Sequence, residues 1–198
     1  DHVPDGMEAL DHFRKGSYDL CLIDIMLPRL DGYSLAEEIR KTDPAIPILF
    51  ISAKSLIEDK IKGFSLGADD YITKPYSIDE LVMRIEVFLK RRSVNNNRDE
   101  RVFRIGNTVC DFANQQVQSD TTSYNLTQRE NELLQFLLKH ANRLVKREDI
   151  LKEIWGDDDY FLGRSLDVFI SRLRKIFSSE PALMIENVHG VGFRLITH

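Results

Sequence analysis

The fold of the first half of the chain is decided by residues 18–32, which read YDLCLIDIMLPRLDG. Residues 20–25 within it are apolar apart from one acid, Asp24, and turn or loop residues flank them. Such a run is typical of a strand buried on both faces of a parallel sheet. Ligands of open α/β sheets bind beyond the carboxyl ends of the strands, where Asp24 would lie. A lone acid there more often caps the next loop, so other segments must decide its role.

Composition limits the classes of protein that this chain can be. With 198 residues and 42% hydrophobic side chains, one or two domains with real cores are expected. No run is long enough to span a membrane, no signal-like start is visible, and the two cysteines form no metal or disulfide pattern. These features favour the cytoplasm. The net charge is −5, so any claim of DNA binding must rest on a local basic patch.

Strands and helices alternate in the first half of the sequence. The patterns predict strands at 20–25, 48–51 and 71–73, and helices at 7–13, 34–40, 56–66 and 78–92. This alternation indicates a right-handed parallel α/β unit. For the helix at 78–92 we expect a core stripe formed by Ile78, Leu81, Val82, Ile85 and Leu89.

Three polar residues fall at the ends of the three predicted strands. They are Asp24, Ser52 and Lys74, and in a parallel sheet those ends share one edge. An acid that acts as nucleophile, with an ammonium and a hydroxyl to hold phosphoryl oxygens, would form a phosphoryl-acceptor site.

Four separated motifs resemble the receiver domain of bacterial two-component response regulators. They are residues 24–28, Asp31-Gly32, residues 51–53 and residues 67–75. The resemblance implies a flavodoxin-like parallel sheet in which a partner histidine kinase phosphorylates Asp24. It also implies a switch hydroxyl at Ser52, a switch aromatic at Tyr71, a phosphate-binding Lys74 and a cis Pro75.

One departure from the receiver pattern concerns Mg²⁺. Receivers begin with a strand that ends in two acids holding the ion, then a helix and a second strand, and none of these precedes Asp1. The ligands that remain by resemblance are the carboxylate of Asp24 and the carbonyl of Met26. We therefore expect an N-terminally truncated receiver, with Mg²⁺ and phosphate bound only in the complete protein.

The second half has a different pattern. After a polar linker at 93–100, short strands are expected between 102 and 126, and Thr127 with Glu130 forms a capping box before a helix. A second helix is expected at 147–155, and the acidic stretch 157–159 reads as a solvated loop. This divides the chain into residues 1–92, a linker at 93–100 and residues 101–198.

The helix expected at 163–177 carries the main functional signal. Its apolar face consists of Leu166, Phe169, Ile170, Leu173 and Phe177, and basic residues lie on the other side. With the glycine-tipped hairpin at 184–196, it resembles the winged helix-turn-helix, an α+β domain, of OmpR/PhoB-type response regulators. Two positions depart from the usual wing: His189 stands where Arg is common, and Phe193 where Tyr is common.

The resemblance implies a transcription regulator that binds double-stranded promoter DNA as a dimer, with RNA polymerase as a further partner. Arg172 suits the O6 and N7 acceptors of guanine, and Val168 suits a thymine methyl. Arg174 could instead pair with Asp167. The predicted DNA-binding residues are Arg164, Ser165, Val168, Arg172, Arg174, Lys175 and His189.

The same resemblance implies a homodimer through the last receiver helix. The expected pairs across the two-fold axis are Lys60 with Glu80, Asp70 with Arg84, and Asp69 with Arg91, around Ile61, Phe64 and Val82. Solvated charges without a partner are the plainer interpretation, since exposed pairs contribute only about 0–1 kcal/mol each.

Two other functions remain open. A phosphatase or phosphotransferase of the haloacid-dehalogenase type would place a second Asp two residues after the nucleophile, but that position is Met26. A DNA-binding regulator that no longer uses phosphorylation fits the missing acid pair, but not the trio of Asp24, Ser52 and Lys74.

Overall fold

The computed structural model describes residues 1–53, 57–94, 102–119, 122–156 and 160–198, with the backbone alone at 57, 90–94 and 160–164. The chain divides into two units, Asp1–Asn96 and Asn97–His198. Within the described ranges, no helix is long and apolar enough to cross a membrane. The acidic stretch 157–159 lies outside the described residues.

The first unit is the predicted parallel α/β unit. Its elements are α1 Gly6–Lys15, β1 Cys21–Asp24, α2 Gly32–Thr42, β2 Ile48–Ser52, α3 Ile57–Ser65, β3 Asp70–Thr73 and α4 Ile78–Val94. The strands are parallel in the order β1-β2-β3, with Asp24 beside Ile51 and Ser52 beside Thr73. The ends of the three strands therefore lie on one edge of the sheet, as predicted.

The central strand β2 carries the core of this unit, because all five of its residues are buried. Phe50 packs edge-on against Tyr33 and Tyr71, with ring centroids 5.3 and 6.3 Å away. A second cluster is built from Leu49, Ile51, Ile72 and Phe88. The sheet is thus covered on both faces at β2 and β3.

Two expectations about burial are wrong. Strand β1 is not buried on both faces, since Leu22 is 41% exposed; among the described strands, β1 has a neighbour on one side only. The predicted stripe of α4 is also displaced: Ile78, Val82 and Leu89 are exposed, whereas Phe88 is fully buried. The helix turns its Leu81 and Phe88 side to the sheet.

Gly32 allows α2 to begin directly against the end of β1. A Cβ at Gly32 would lie 2.3 Å from the carbonyl oxygen of Asp24. The carboxylate of Asp31 caps the helix by accepting from the N–H groups of Tyr33 and Ser34 at 3.0 and 3.2 Å. This close packing fixes the loop that follows Asp24.

The second unit combines two small antiparallel sheets with three helices. Its elements are β4 Val102–Ile105, β5 Thr108–Asp111, β6 Gln116–Gln118, β7 Ser123–Asn125, α5 Gln128–Lys139, β8 Leu144–Lys146, α6 Arg147–Trp155, α7 Tyr160–Ile176, β9 Leu183–Val188 and β10 Gly192–Thr197. The sheet orders are β4-β5-β6-β7 and β8-β10-β9. Strand β8 was not predicted, because its three residues are too few to show a pattern.

Helix α7 buries the face that the sequence predicts. The five residues of that face are each at most 4% exposed: Leu166, Phe169, Ile170 and Leu173 lie in α7, and Phe177 directly follows it. The hairpin β9–β10 pairs Val188 with Gly192, so its turn lies at 189–191. A Cβ at Gly192 would lie 1.9 Å from the carbonyl oxygen of Val145, which explains the glycine at the start of β10, where this strand pairs with β8.

Candidate phosphoryl-acceptor site and nucleic-acid interface

Asp24 and Lys74 form a partly open ion pair at the edge of the sheet. Lys74 Nζ donates to Oδ2 of Asp24 at 2.6 Å, and the N–H of Met26 donates to Oδ1 at 2.9 Å. The two side chains are 32% and 43% exposed, so solvent reaches both. The hydrogen bond to Asp24 raises the pKa of the Lys74 ammonium. Asp24 and Lys74 thus lie together, as their positions at the strand ends predict, while their chemical role stays a prediction.

Ser52 and Tyr71 are core residues of β2 and β3. Ser52 is fully buried and Tyr71 is nearly so. Burial raises the pKa of the Tyr71 phenol, and a hydrogen bond with the Ser52 hydroxyl opposes that rise. The N–H of Lys74 also donates to the carbonyl of Ser52 at 2.8 Å, which ties β2 to the residue after β3. The peptide bond between Lys74 and Pro75 is cis, as the resemblance implies.

Tyr33, which was not among the residues predicted from the sequence, extends this hydroxyl network. Its hydroxyl donates to the carbonyl of Asp59 in the first turn of α3 at 3.0 Å, and it also hydrogen-bonds with Tyr71. Burial raises the pKa of the Tyr33 phenol well above its ordinary range. The ammonium of Lys62 lies 4.5 Å from the Tyr33 ring centroid. A chain of side-chain hydroxyls therefore leads from Ser52 to α3.

The described residues do not by themselves form a Mg²⁺ site. Asp24 offers one carboxylate and Met26 one carbonyl, whereas Mg²⁺ requires about six oxygen ligands in octahedral geometry. Among the residues that the structure describes, no group of three or more His, Cys, Asp or Glu could hold an ion.

The predicted dimer face is only partly at the surface. Val82 is 45% exposed, and Lys60 and Ile61 are half-buried. Phe64, by contrast, is 1% exposed and belongs to the core, so its assignment to the interface is wrong. The side chain of Arg91 lies outside the described residues.

Three of the charged residues expected to pair across the dimer axis, Asp70, Glu80 and Arg84, have partners within the chain. Arg84 Nη1 lies 3.0 Å from a carboxylate oxygen of Asp70, and Arg84 Nε lies 3.3 Å from Glu80. Asp70 is only 1% exposed. Arg84 thus holds α4 against the start of β3. If Arg84 paired with Asp70 of a second copy across a two-fold axis, its contact with Asp70 of its own chain would have to be broken or shared.

Asp69 is a core residue, which corrects its placement in the dimer face. Its carboxylate is fully buried, lies 2.7 Å from Arg40 Nη2 and accepts from the N–H of Ile48 at 2.9 Å. Arg40 also donates to the carbonyl of Gly67 at 2.7 Å. These contacts hold α2, β2 and the loop before β3 together.

In the second unit, the basic side of α7 is more constrained than its sequence suggests. Arg172 is 32% exposed, and its Nε lies 2.8 Å from Oε1 of Glu130, a residue of α5 that is 2% exposed. Ser165 is 1% exposed, so its assignment as a DNA contact is wrong, because its side chain faces the core. The side chain of Arg164 lies outside the described residues.

Arg174 does not pair with Asp167. Its Nε and Nη2 donate to the carbonyl of Ile185 at 2.9 and 2.8 Å, and so attach α7 to β9. Asp167 instead pairs with Arg147 of α6 at 2.8 Å.

The other predicted DNA contacts differ in how far solvent reaches them. Lys175 and the wing residue His189 are exposed, and Val168 is half-buried. Of the described residues predicted to contact DNA, Arg174, Lys175 and His189 are therefore exposed, although the guanidinium of Arg174 is held by Ile185.

A parallel α/β unit with an acid and an ammonium at its strand ends, together with a winged helix-turn-helix unit, defines a response regulator. Residues 1–86 match the family described as response regulator receiver domain, and residues 121–195 match transcriptional regulatory protein, C terminal. The chain belongs to the OmpR/PhoB type of two-component response regulators, and it is a DNA-binding transcriptional regulator.

Similar proteins carry matching descriptions. The transcriptional regulatory protein RprY of Bacteroides fragilis is 45% identical over 194 residues, covering 98% of this chain and 82% of that protein. The transcriptional regulatory protein TrcR of Mycobacterium tuberculosis is 38% identical, covering 96% and 74%. A solved structure of a RitR mutant is similar with a TM-score of 0.74 and 26% identity, covering 100% of this chain and 87% of that one. Relatives named as regulators support a regulatory rather than an enzymatic role.

Proposed function

We propose that Asp24 accepts a phosphoryl group from the phosphohistidine of a partner histidine kinase. The observation that carries this proposal is the Lys74 ammonium 2.6 Å from a half-open Asp24 carboxylate. A carboxylate oxygen attacks phosphorus, so that a P–O bond forms while the P–N bond breaks and its electron pair returns to the imidazole. Lys74 then stabilises the negative oxygens that the phosphoryl group brings.

Receiver domains coordinate Mg²⁺ at this place, and the ion supplies further charge neutralisation when bound. Asp24 and the carbonyl of Met26 are the ligands that this chain would contribute. Because two ligands do not complete an octahedral site, the proposed step rests on Lys74 and not on the ion.

Phosphorylation would fix the direction of the buried hydroxyl network. A hydroxyl has one hydrogen but two acceptor lone pairs. If Ser52 donates to a phosphoryl oxygen, its hydrogen bond with Tyr71 persists only when Tyr71 donates to Ser52. Tyr71 then has no hydrogen left for Tyr33, so Tyr33 must give its one hydrogen either to Tyr71 or to the carbonyl of Asp59. The contact of Tyr33 with α3 supports a link from Asp24 to that helix.

The surface that responds would be a homodimer interface on α3 and α4. We retain Lys60, Ile61, Glu80, Val82 and Arg84 in it, with Asp70 as the partner of Arg84. Phe64 and Asp69 are excluded because they are buried. Dimerisation would place two copies of the second unit on two half-sites of promoter DNA in the cytoplasm, where RNA polymerase acts.

In the second unit, α7 would enter the major groove. Arg172 would read a guanine, Val168 would meet a thymine methyl, and Arg164 and Lys175 would hold phosphates. Arg174 contributes less to DNA, since its guanidinium holds β9. His189 at the exposed wing tip would approach the minor groove.

Phosphoryl transfer is tested in the complete protein with a small phosphodonor and Mg²⁺, by weighing intact wild type, Asp24→Asn and Lys74→Gln. We expect the wild type to gain one phosphoryl group, Asp24→Asn to gain none, and Lys74→Gln to react at least about tenfold more slowly, since a charge-assisted contact is lost. Equal modification of wild type and Asp24→Asn would overturn the assignment of Asp24.

A further inference from the structure

Glu130 makes two contacts through its two carboxylate oxygens. Oε2 accepts from the N–H of Thr127 at 2.8 Å, while Thr127 Oγ1 accepts from the N–H of Glu130 at 3.4 Å. This confirms the capping box at the start of α5. The second oxygen, Oε1, lies 2.8 Å from Nε of Arg172 on α7. The capping residue of one helix thus holds an arginine of another.

Because Glu130 is buried, losing its contact with Arg172 would be costly. The Glu130 side chain is 2% exposed, and a buried carboxylate without a cation partner is costly. The Arg172 side chain remains 32% exposed, so it lies at the boundary between core and surface. An exposed arginine loses much rotamer freedom when it binds DNA, whereas one already held at Nε has lost part of it beforehand.

The contact also determines which edge of the guanidinium can read a base. Guanine is recognised by two parallel N–H donors on its O6 and N7 atoms. Because Nε is committed to Glu130, the bidentate contact must use the Nη1 and Nη2 end. Lysine could not replace Arg172 here, since it has no planar fork.

We infer that Glu130 is a positioning residue for base readout: it holds Arg172 so that its Nη1 and Nη2 end meets one guanine in the major groove. This inference rests on the proposed role of Arg172 as a base reader. Glu130 acts through Arg172 and does not itself touch DNA.

The test measures discrimination, which a merely structural role would not alter. An operator is selected from random DNA with the wild-type protein, and each variant is titrated with that operator, with the operator altered at its most selective guanine, and with random DNA. The variants are Glu130→Gln, Arg172→Ala and the double variant. Gln replaces one of the two oxygens by an NH₂ group, which donates and cannot accept, so in the same position it cannot accept from both Thr127 and Arg172.

We expect Arg172→Ala to lower discrimination at that guanine about tenfold, as the loss of a bidentate base contact does. Glu130→Gln should lower it by roughly threefold or more, while affinity for random DNA changes by less than about twofold. The double variant should discriminate no worse than Arg172→Ala. Thr127→Ala, which weakens the cap but leaves the contact with Arg172, should lower stability and keep full discrimination.

Three results would overturn the inference. If Glu130→Gln weakens operator and random DNA equally, Glu130 is only structural. If the double variant discriminates less than Arg172→Ala, Glu130 does not act through Arg172. If Arg172→Ala discriminates fully, the base-reading role of Arg172 itself is wrong. Should Glu130→Gln not fold, Glu130→Asp, one methylene shorter, is measured instead with the same expectation.

Discussion

Replacing Asp69 by Asn tests whether this residue belongs to the core or to a dimer face. Asn keeps the volume but leaves the guanidinium of Arg40, whose side chain is 12% exposed, without its anionic partner. Breaking one side of a buried ion pair costs about 3–5 kcal/mol, and since Asn can still accept from Ile48 we expect about 3 kcal/mol. An exposed pair such as Glu38–Lys41 contributes at most about 1 kcal/mol, so Lys41→Ala is the matched control.

The assay is urea unfolding followed by two signals. Circular dichroism reports helices of both units, whereas Trp155, the one tryptophan of the chain, reports the second unit. Asp69→Asn should lower the midpoint seen by circular dichroism and leave the Trp155 midpoint nearly unchanged. Unchanged stability together with weaker dimers would refute this reasoning and return Asp69 to the interface.

Three further predictions concern the first unit and the thiols. Tyr33→Phe removes the hydroxyl that is bound to α3, so the free energy of unfolding should fall by about 1 kcal/mol. The same change should weaken phosphorylation-dependent dimers in ultracentrifugation without slowing phosphorylation. Tyr18→Phe, which removes a more exposed hydroxyl, is the control. Arg84→Glu should also weaken these dimers, and it should lower stability because it loses the contact within the chain. Burial raises the pKa of Cys21 to about 11 and of Cys110 to about 12, so both should resist iodoacetamide at pH 8 until the chain unfolds.

Each of these predictions has an opposite outcome. If Tyr33→Phe and Tyr18→Phe weakened the dimers equally, Tyr33 would have no part in the link from Asp24 to α3. If Arg84→Glu left dimerisation unchanged, α4 would not belong to the dimer interface. For the thiols, a raised pKa means that the folded state favours the neutral form, so stability falls as pH rises above the unfolded value of about 9. Rapid alkylation of Cys110 in the native protein at pH 8 would contradict its burial, and rapid alkylation of the half-buried Cys21 would contradict its raised pKa.

Local sequence patterns were enough to predict much of the fold and part of the candidate site. Asp24 and Lys74 could be paired from the sequence because the ends of parallel strands share an edge. The buried face of α7 and the capping box were also predictable, since both depend on spacing within one helix. These features need no knowledge of which distant segments meet.

The features that sequence reasoning missed depend on contacts between distant segments. Asp69 and Asp70 look alike in sequence, but one meets Arg40 and the other Arg84. Arg172 looked like a free basic residue because its partner Glu130 lies 42 positions earlier and already had a role as a helix cap. The sequence signal for the role of Tyr33 was weak, because it consists only of one hydroxyl group in the otherwise apolar stripe of α2.

The central claim is that phosphorylation of Asp24 controls how tightly the protein binds DNA with α7. The most direct measurement is the affinity of the complete protein for its selected operator, with and without phosphodonor, in wild type and in Asp24→Asn. We expect phosphorylated wild type to bind at least about tenfold more tightly, which corresponds to about 1.4 kcal/mol of coupling, and Asp24→Asn to show no response. Equal affinity of phosphorylated and unphosphorylated wild type would contradict the account.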